Sequence, residues 1–170
     1  MRIVFLCSGN TCRSPMAEGI FKKMIDDGDV SLPDSNENIE VSSAGFSTYS
    51  GEEIAEYAVY ACRRHGIDLS DYRTTNISDI DFDDVDLVLT ATVENREKIR
   101  RFYPDVNAYT IKEYSGLYDD LDSGNPSDAL DINDPSNGGL GDYVICYFEI
   151  REALENILRT HKEFIKKVEK

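Results

Sequence analysis

The stretch IVFLCSGNTCRSPMAE, residues 3–18, decides the fold. Its first four residues are apolar and partly β-branched, which is typical of a strand buried on both faces of a parallel sheet. Small polar residues then indicate a loop, and Ser14-Pro15 indicates a helix N-cap followed by proline at the first helical position. Apolar residues recur at helical spacing from Met16 to Ile25. The stretch therefore predicts a strand, a loop and a helix in immediate succession.

The rest of the chain continues to alternate between strand and helix patterns. Further strands are predicted at 39–42, 85–89 and 108–111, and further helices at 52–65, at 94–102 and from 142 into the 160s. The acidic stretch 115–136 is rich in turn formers and predicts a long loop. This alternation predicts a three-layer α/β/α sandwich around a small, mostly parallel, twisted sheet, with a loop directly after the first strand. We expect one domain over residues 1–170.

Composition narrows the class of protein. The chain of 170 residues is 41% hydrophobic, which is enough for one core. Its formal net charge of -15 argues against binding to nucleic acid or to an anionic membrane. The apolar runs are too short for a membrane span or a signal peptide, so we expect a soluble cytoplasmic protein. Four cysteines are then expected as thiols: Cys7, Cys12, Cys62 and Cys146.

The segment CSGNTCRS, residues 7–14, predicts chemistry. A loop between a strand and a helix can direct backbone N–H groups inward, and the helix N-terminus adds partial positive charge, so the segment predicts an anion-binding cradle. Arg13 can close this cradle with a bidentate guanidinium. Cys7 lies at its floor, where positive surroundings favour the thiolate and Ser14 can donate a hydrogen bond to sulfur. The alternative is a buried structural cysteine beside a surface arginine.

The segment CSGNTCRSPMAE, residues 7–18, resembles the signature of the low-molecular-weight protein-tyrosine phosphatases, of bacterial type and close to the protein-arginine phosphatase branch. The resemblance covers nearly the whole chain. Four further motifs follow in the family's order: VSSAG at 41–45, GIDLS at 66–70, DVDLVLT at 84–90 and DP at 134–135. The resemblance implies a phosphate-binding loop after the first strand and an enzyme without metal or cofactor that acts on phosphorylated proteins. Phosphate is then both product and inhibitor.

The resemblance also implies the roles of the site residues. Cys7 is the nucleophile that forms a phosphocysteine, Arg13 clamps the phosphate, and Asp134 is the general acid and then the general base. The implied substrate-binding and supporting residues are Ser8, Gly9, Asn10, Thr11, Cys12, Ser14 and Ser43. From the residues alone, Asp131 and Asp142 remain alternatives to Asp134. Cys12 is either a redox partner of Cys7 or a small buried thiol.

Two departures from the family pattern bear on the substrate. Phosphotyrosine is the family's default, but the small polar Thr11 resembles the members that remove phosphate from protein arginine. Ser136 and Asn137 stand where tyrosine-specific members carry an aromatic residue. A wall for a phenyl ring would then have to come from elsewhere, and the candidates are Tyr49, Tyr114, Tyr118 and Tyr143. A histidine expected after GIDLS is also missing, since Asp71 and Tyr72 follow.

Three other functions fit parts of the pattern. An arsenate reductase would need a second cysteine pair in the middle of the chain, and none lies between Cys62 and Cys146. A sugar-phosphotransferase subunit would not need Arg13. A non-catalytic phosphate-binding or redox-sensing module would use Cys7 and Cys12 without turnover, and Asp134 would then have no role.

Overall fold

A four-stranded parallel sheet forms the centre of the molecule. The structure is a computed structural model and describes residues 1–28, 38–117 and 129–161. The strands are β1 (Arg2–Cys7), β2 (Glu40–Gly45), β3 (Leu87–Thr90) and β4 (Ala108–Thr110). Their order is β2-β1-β3-β4, and every neighbouring pair is parallel. All four strands therefore end at the same edge of the sheet.

Helices cover both faces of this sheet. They are α1 (Arg13–Asp26), α2 (Glu56–Arg63), α3 (Val93–Phe102), α4 (Ile111–Ser115) and α5 (Leu140–Thr160). Because successive residues of a strand point to opposite faces, β1 contributes to two hydrophobic clusters. Ile3 and Phe5 pack with α1, α2 and α5, whereas Val4 and Leu6 pack with Ile99 of α3. The predicted three-layer α/β/α sandwich is confirmed.

The start of α1 differs from the prediction. The helix begins at Arg13, its N-cap is Cys12, and no side chain caps it. Ser14 was predicted as the N-cap, but its hydroxyl lies 3.0 Å from the Cys7 sulfur and is used there. The single side chain of Ser14 cannot serve both positions.

The second predicted helix is too long, and the short helix α4 was not predicted. Residues 52–55 precede α2 in non-helical conformation, because Glu52 exchanges hydrogen bonds with Thr74 and Glu53 bridges Arg73. The strand predicted at 39–42 extends to Gly45 as β2. Within the predicted loop 115–136, residues 118–128 lie outside the described part of the chain, and Pro135–Asn137 form a turn of 3-10 helix.

The loop after β1 lies where the chain changes direction across the sheet. From β1 the chain passes through α1 to β2 on one side, and it later returns to β3 on the other side. In open α/β sheets, ligands bind at such a switch point, outside the carboxyl ends of the strands. Among the described residues, no helix is long and apolar enough to cross a bilayer.

Candidate active site

Cys7 is the last residue of β1, at the edge of the sheet where the strands end, and it is only 2% exposed. The backbone N–H of Asn10 donates to the Cys7 Sγ atom at 3.2 Å, and the Ser14 Oγ atom lies 3.0 Å from the same sulfur. Ser14 Oγ already accepts a hydrogen bond from Asn10 Nδ2 at 2.9 Å, so its own proton can go to the sulfur. Two donors thus converge on one sulfur, an arrangement that stabilises negative charge there.

Asn10 holds the loop in shape. Its φ of 51° is the one positive φ outside glycine in the described chain. Its Nδ2 atom donates to Ser14 and to Ser43 at 2.9 Å each, and its Oδ1 atom accepts from the Thr75 N–H at 2.7 Å. Ser43 in turn donates to a Glu18 carboxylate oxygen at 2.6 Å. The loop is therefore connected to α1, to β2 and to the segment before residue 77.

This network answers the question raised by the missing histidine. Asp71 is exposed and Tyr72 is half-buried, and neither residue donates to Asn10. The N–H of Thr75 occupies the Oδ1 acceptor of Asn10 instead. A backbone group thus supports the loop where the resemblance led us to expect an imidazole.

Arg13 and Asp134 meet at the mouth of the loop. The Arg13 Nη1 atom donates to the Ile132 carbonyl at 3.1 Å, and its Nη2 atom donates to Asp134 Oδ2 at 2.9 Å. The Asp134 side chain is 48% exposed, and its other oxygen accepts from the Ser136 N–H. The fold thus places an exposed carboxylate and a buried guanidinium side by side.

The remaining loop residues divide between the surface and the interior. Ser8 is exposed and Thr11 is half-buried, while the Cys12 Sγ atom lies 3.5 Å from Thr11 Oγ1 and 3.2 Å from the Tyr143 hydroxyl. Burial is the largest cause that raises the pKa of the Cys12 thiol, and it raises the pKa of Tyr143 too. Because its pKa is raised, Cys12 is a thiol at neutral pH. Gly9, the remaining loop residue, is half-buried.

A family model for "Low molecular weight phosphotyrosine protein phosphatase" matches residues 2–170. The chain belongs to this family. The predicted family is confirmed, and with it the prediction that the chain is a member of a phosphatase family.

Three relatives show how similar the phosphatase is to known proteins. The low molecular weight protein-tyrosine-phosphatase PtpB of Staphylococcus epidermidis is 30% identical over 163 residues, which are 95% of this chain and 100% of PtpB. The low molecular weight protein tyrosine phosphatase of T. tengcongensis, which has a crystal structure, is 31% identical in sequence. Its TM-score is 0.76, and the match covers 94% of this chain and 98% of that one. A YwlE arginine phosphatase, mutated from cysteine to serine and carrying a phosphorylated active site serine, is 27% identical with a TM-score of 0.78, and the match covers 96% of this chain and 97% of that one.

The two alternative carboxylates of the phosphatase are occupied elsewhere. Asp131 Oδ1 accepts from the Val93 N–H at 2.7 Å, at the start of α3. Asp142 Oδ2 accepts from the Gly139 N–H at 2.8 Å, at the start of α5. Of the three aspartates, Asp134 is the one that bonds to Arg13.

The four tyrosines considered for a ring pocket differ in exposure. Tyr49 is 81% exposed, on the segment after β2 whose Ser47 N–H donates to the Ser8 carbonyl. Tyr143 is only 4% exposed, and Tyr114 stacks on His161. Tyr118 lies outside the described residues.

The other cysteines of the phosphatase lie in the core. Cys62 and Cys146 are buried free thiols, and burial raises the pKa of Cys62 to about 12 and that of Cys146 further. Over the described ranges, no group of three or more His, Cys, Asp or Glu residues is placed to hold a metal ion.

Sequence reasoning missed four contributors to this site. They are the Glu18 carboxylate, the Thr75 N–H, the Ile132 carbonyl and the bond between Tyr143 and Cys12. Glu18 had a signal, because it lies one helical turn after Ser14 and on the same face. The Thr75 and Ile132 contacts use backbone atoms, which no residue type reveals.

Proposed function

We propose that this phosphatase hydrolyses phosphotyrosine on proteins through a phosphocysteine at Cys7. The observation that carries the proposal is the Cys7 sulfur at the end of β1, which accepts from the Asn10 N–H with the Ser14 hydroxyl beside it. The guanidinium of Arg13 and the carboxylate of Asp134 lie at the same loop. These groups are a nucleophile, an anion clamp and a proton carrier.

In the first step, the Cys7 sulfur attacks phosphorus, and the S–P bond forms as the bond from phosphorus to the tyrosine oxygen breaks. That oxygen leaves poorly as an anion, so the Asp134 carboxylic acid gives it a proton. The Arg13 guanidinium donates hydrogen bonds to the phosphate oxygens and stabilises the charge that redistributes on them in the transition state. Binding of phosphate thereby frees Asp134 from its ion pair with Arg13.

In the second step, a water molecule attacks phosphorus and the S–P bond breaks. Asp134, now a carboxylate, takes a proton from that water, and the Cys7 thiolate is restored. The Ser14 hydroxyl stabilises this leaving thiolate as it forms. Inorganic phosphate is the product and, because it fits the same cradle, also a competitive inhibitor.

The names of the relatives support both the substrate and the covalent step. PtpB and the T. tengcongensis enzyme are named as tyrosine phosphatases. In the YwlE mutant, the serine that replaces a cysteine carries a phosphoryl group, which supports a phosphorylated enzyme in a protein of the same fold. An exposed Tyr49 offers a ring against which a phosphotyrosine can stack.

Phosphoarginine is the second candidate substrate. Thr11 is half-buried in the loop, and Ser136 and Asn137 after Pro135 are exposed and not aromatic. Tyr143 is buried against Cys12 and supplies no exposed ring. The YwlE relative is named an arginine phosphatase. A threonine hydroxyl at Thr11 can accept a hydrogen bond from a guanidinium of the substrate.

The test is a comparison of initial rates on matched phosphotyrosine and phosphoarginine peptides, in EDTA, with Cys7→Ser as the blank. We expect turnover of phosphotyrosine in EDTA and none by the blank. Faster turnover of phosphoarginine would move the substrate to the second candidate, and Thr11→Ile would then reverse the preference. Turnover of neither peptide would overturn the proposed function and favour a phosphate-binding or redox-sensing module.

The remaining proposals concern the surroundings of the enzyme. We propose one catalytic domain, because the family model spans residues 2–170. We propose phosphorylated proteins as partners and the cytoplasm as location.

Cys12 is the proposed redox partner of Cys7. Peroxide converts Cys7 to a sulfenic acid, whose sulfur bonds to the Cys12 sulfur as water leaves.

A further inference from the structure

A buried ion pair contacts the chain three residues before Asp134, and the proposed mechanism does not use this pair. The Lys112 Nζ atom, on α4, pairs with the Glu149 carboxylate in the middle of α5, and the two side chains are 9% and 19% exposed. Lysine and glutamate are seldom buried to this degree. A buried ion pair contributes little net stability, because loss of hydration offsets the attraction. The position of Lys112 therefore needs a reason other than stability.

The same Nζ atom also donates to the Asp131 carbonyl at 2.9 Å. This contact is one of several that fix the chain just before Asp134. The Asp131 carboxylate accepts from the Val93 N–H, and the Ile132 N–H donates to the Ala91 carbonyl at 2.8 Å. The Ile132 carbonyl and the Asp134 carboxylate then both accept hydrogen bonds from Arg13. The carboxylate at Asp134 is thus the exposed end of a segment that Lys112 holds from behind.

We propose that Lys112 is a positioning residue for Asp134, an inference that rests on the proposed function. The ammonium group fixes the Asp131 carbonyl, and Glu149 fixes the direction of the ammonium group. The segment from Asp131 to Asp134 is short, so a displacement at its start is carried to the carboxyl group. A general acid works only within hydrogen-bond reach of the oxygen that it protonates. Lys112 itself touches no reacting atom.

The proposal predicts a loss that depends on the leaving group. The test variant is Lys112→Met with Glu149→Gln, which removes both charges of the pair together, because removing one partner alone leaves the other charge buried. Its kcat/KM reports the first step, in which Asp134 acts as the acid. We expect kcat/KM for phenyl phosphate to fall roughly 10-fold and that for p-nitrophenyl phosphate less than about 3-fold, because an activated leaving group needs little protonation.

Two matched variants complete the experiment. Lys98→Met removes another ion-paired lysine, one that is half-exposed on α3, and is expected to change neither rate. The measured quantity is the ratio of kcat/KM for phenyl phosphate to kcat/KM for p-nitrophenyl phosphate. In an Asp134→Asn background, the Lys112 and Glu149 changes are expected to have no further effect on this ratio. Glu149→Gln alone keeps the bond from Lys112 to Asp131 and an amide oxygen that can accept from the ammonium group, so it is expected to lower this ratio less than the double variant does.

Each outcome has a separate meaning. Equal losses on both substrates, or a selective loss that persists in the Asp134→Asn background, would overturn the positioning role while leaving the proposed function intact. If the double variant does not fold, an unchanged ratio in Glu149→Gln would overturn it instead. If Asp134→Asn alone slows both substrates equally, the acid role of Asp134 fails, and the positioning role fails with it. An inactive native protein would overturn the proposed function as a whole.

Discussion

Asn10 meets two separate requirements of the loop. Its φ of 51° lies in the left-handed region, which asparagine tolerates better than most residues do. Its side chain also bonds to Ser14, Ser43 and the Thr75 N–H. Glycine would satisfy the first requirement but not the second, and alanine would satisfy neither.

Substitutions of Asn10 can therefore separate conformation from hydrogen bonding. We expect Asn10→Gly and Asn10→Ala to lower kcat/KM by a similar factor of roughly 10 to 100, because both lose the bonds that fix the loop. Asn10→Ala should also lower the free energy of unfolding by about 1 kcal/mol more than Asn10→Gly does, since alanine is strained at positive φ. Urea denaturation measures this difference, with the exposed Asn38→Ala as control. Equal stabilities would show that the left-handed conformation is not what selects asparagine.

At this scale, the sequence predicts side-chain chemistry better than it predicts partners. Ser14 was predicted both as a helix cap and as a donor to the Cys7 sulfur, and only the fold decides between these uses. The choice of Asp134 over Asp131 and Asp142 depends in the same way on which carboxylate reaches Arg13. Such choices depend on tertiary distances, which no local pattern contains.

Among the elements, the end of β2 lies directly against the loop. A Cβ atom added at Gly45 would lie 2.8 Å from the Asn10 backbone nitrogen and 2.9 Å from the Gly9 carbonyl carbon. Both of these atoms belong to the backbone, so they cannot move without displacing the loop. By contrast, a Cβ atom at Gly141 in the first turn of α5 would have no neighbour within 4 Å.

Two glycine substitutions should therefore have opposite results. We expect Gly45→Ala to abolish most turnover and to lower Tm, because the loop must shift away from β2. Gly141→Ala should keep full activity and raise stability by up to about 1 kcal/mol, since alanine favours the helix. Rates on a phosphopeptide and thermal melts measure both effects. An active Gly45→Ala variant would show that the loop tolerates the displacement.

The predicted elements succeed where a pattern is long and fail where it is short or contested. α5 and α1 have several turns of apolar spacing, and both were predicted. α4 has only five residues, too few for periodicity, although Thr110 and Glu113 form a capping box that was readable in the sequence. The first residues of the helix predicted at 52–65 are taken by hydrogen bonds to Thr74, a tertiary contact that overrides local propensity.

For the molecule as a whole, alternation predicted a parallel sheet but not its strand order. The positions of β2 and β3 on opposite sides of β1 create the switch point at which Cys7 lies. That order depends on which helix packs on which face. The hydrophobic cluster that contains Ile3 and Phe5 also buries groups that can ionise, and this burial links the core to the stability of the fold at high pH.

The buried groups predict that stability falls in alkaline solution. Burial raises the pKa of Cys62 from 9.0 to about 12, and it also raises the pKa of Cys12, Cys146 and Tyr147. The folded state therefore holds these protons when the unfolded state has already lost them. Their contribution is complete below pH 9 and is lost as the pH rises through the folded-state values.

Thermal melts between pH 7 and 11 test this expectation. We expect a constant Tm up to about pH 8.5 and a steady decline above it, with a shallower decline in Cys62→Ala, which has a lower Tm at neutral pH but one buried thiol fewer. The formal net charge of -15 offers a rival cause, because added negative charge increases self-repulsion. Salt screens repulsion at the surface but hardly affects the ionisation of a buried thiol. If 0.5 M salt, roughly three times physiological ionic strength, removes the decline, surface repulsion is its cause and the buried thiols are not. If the decline persists in salt and is reduced in Cys62→Ala, the core itself sets the alkaline limit of the fold.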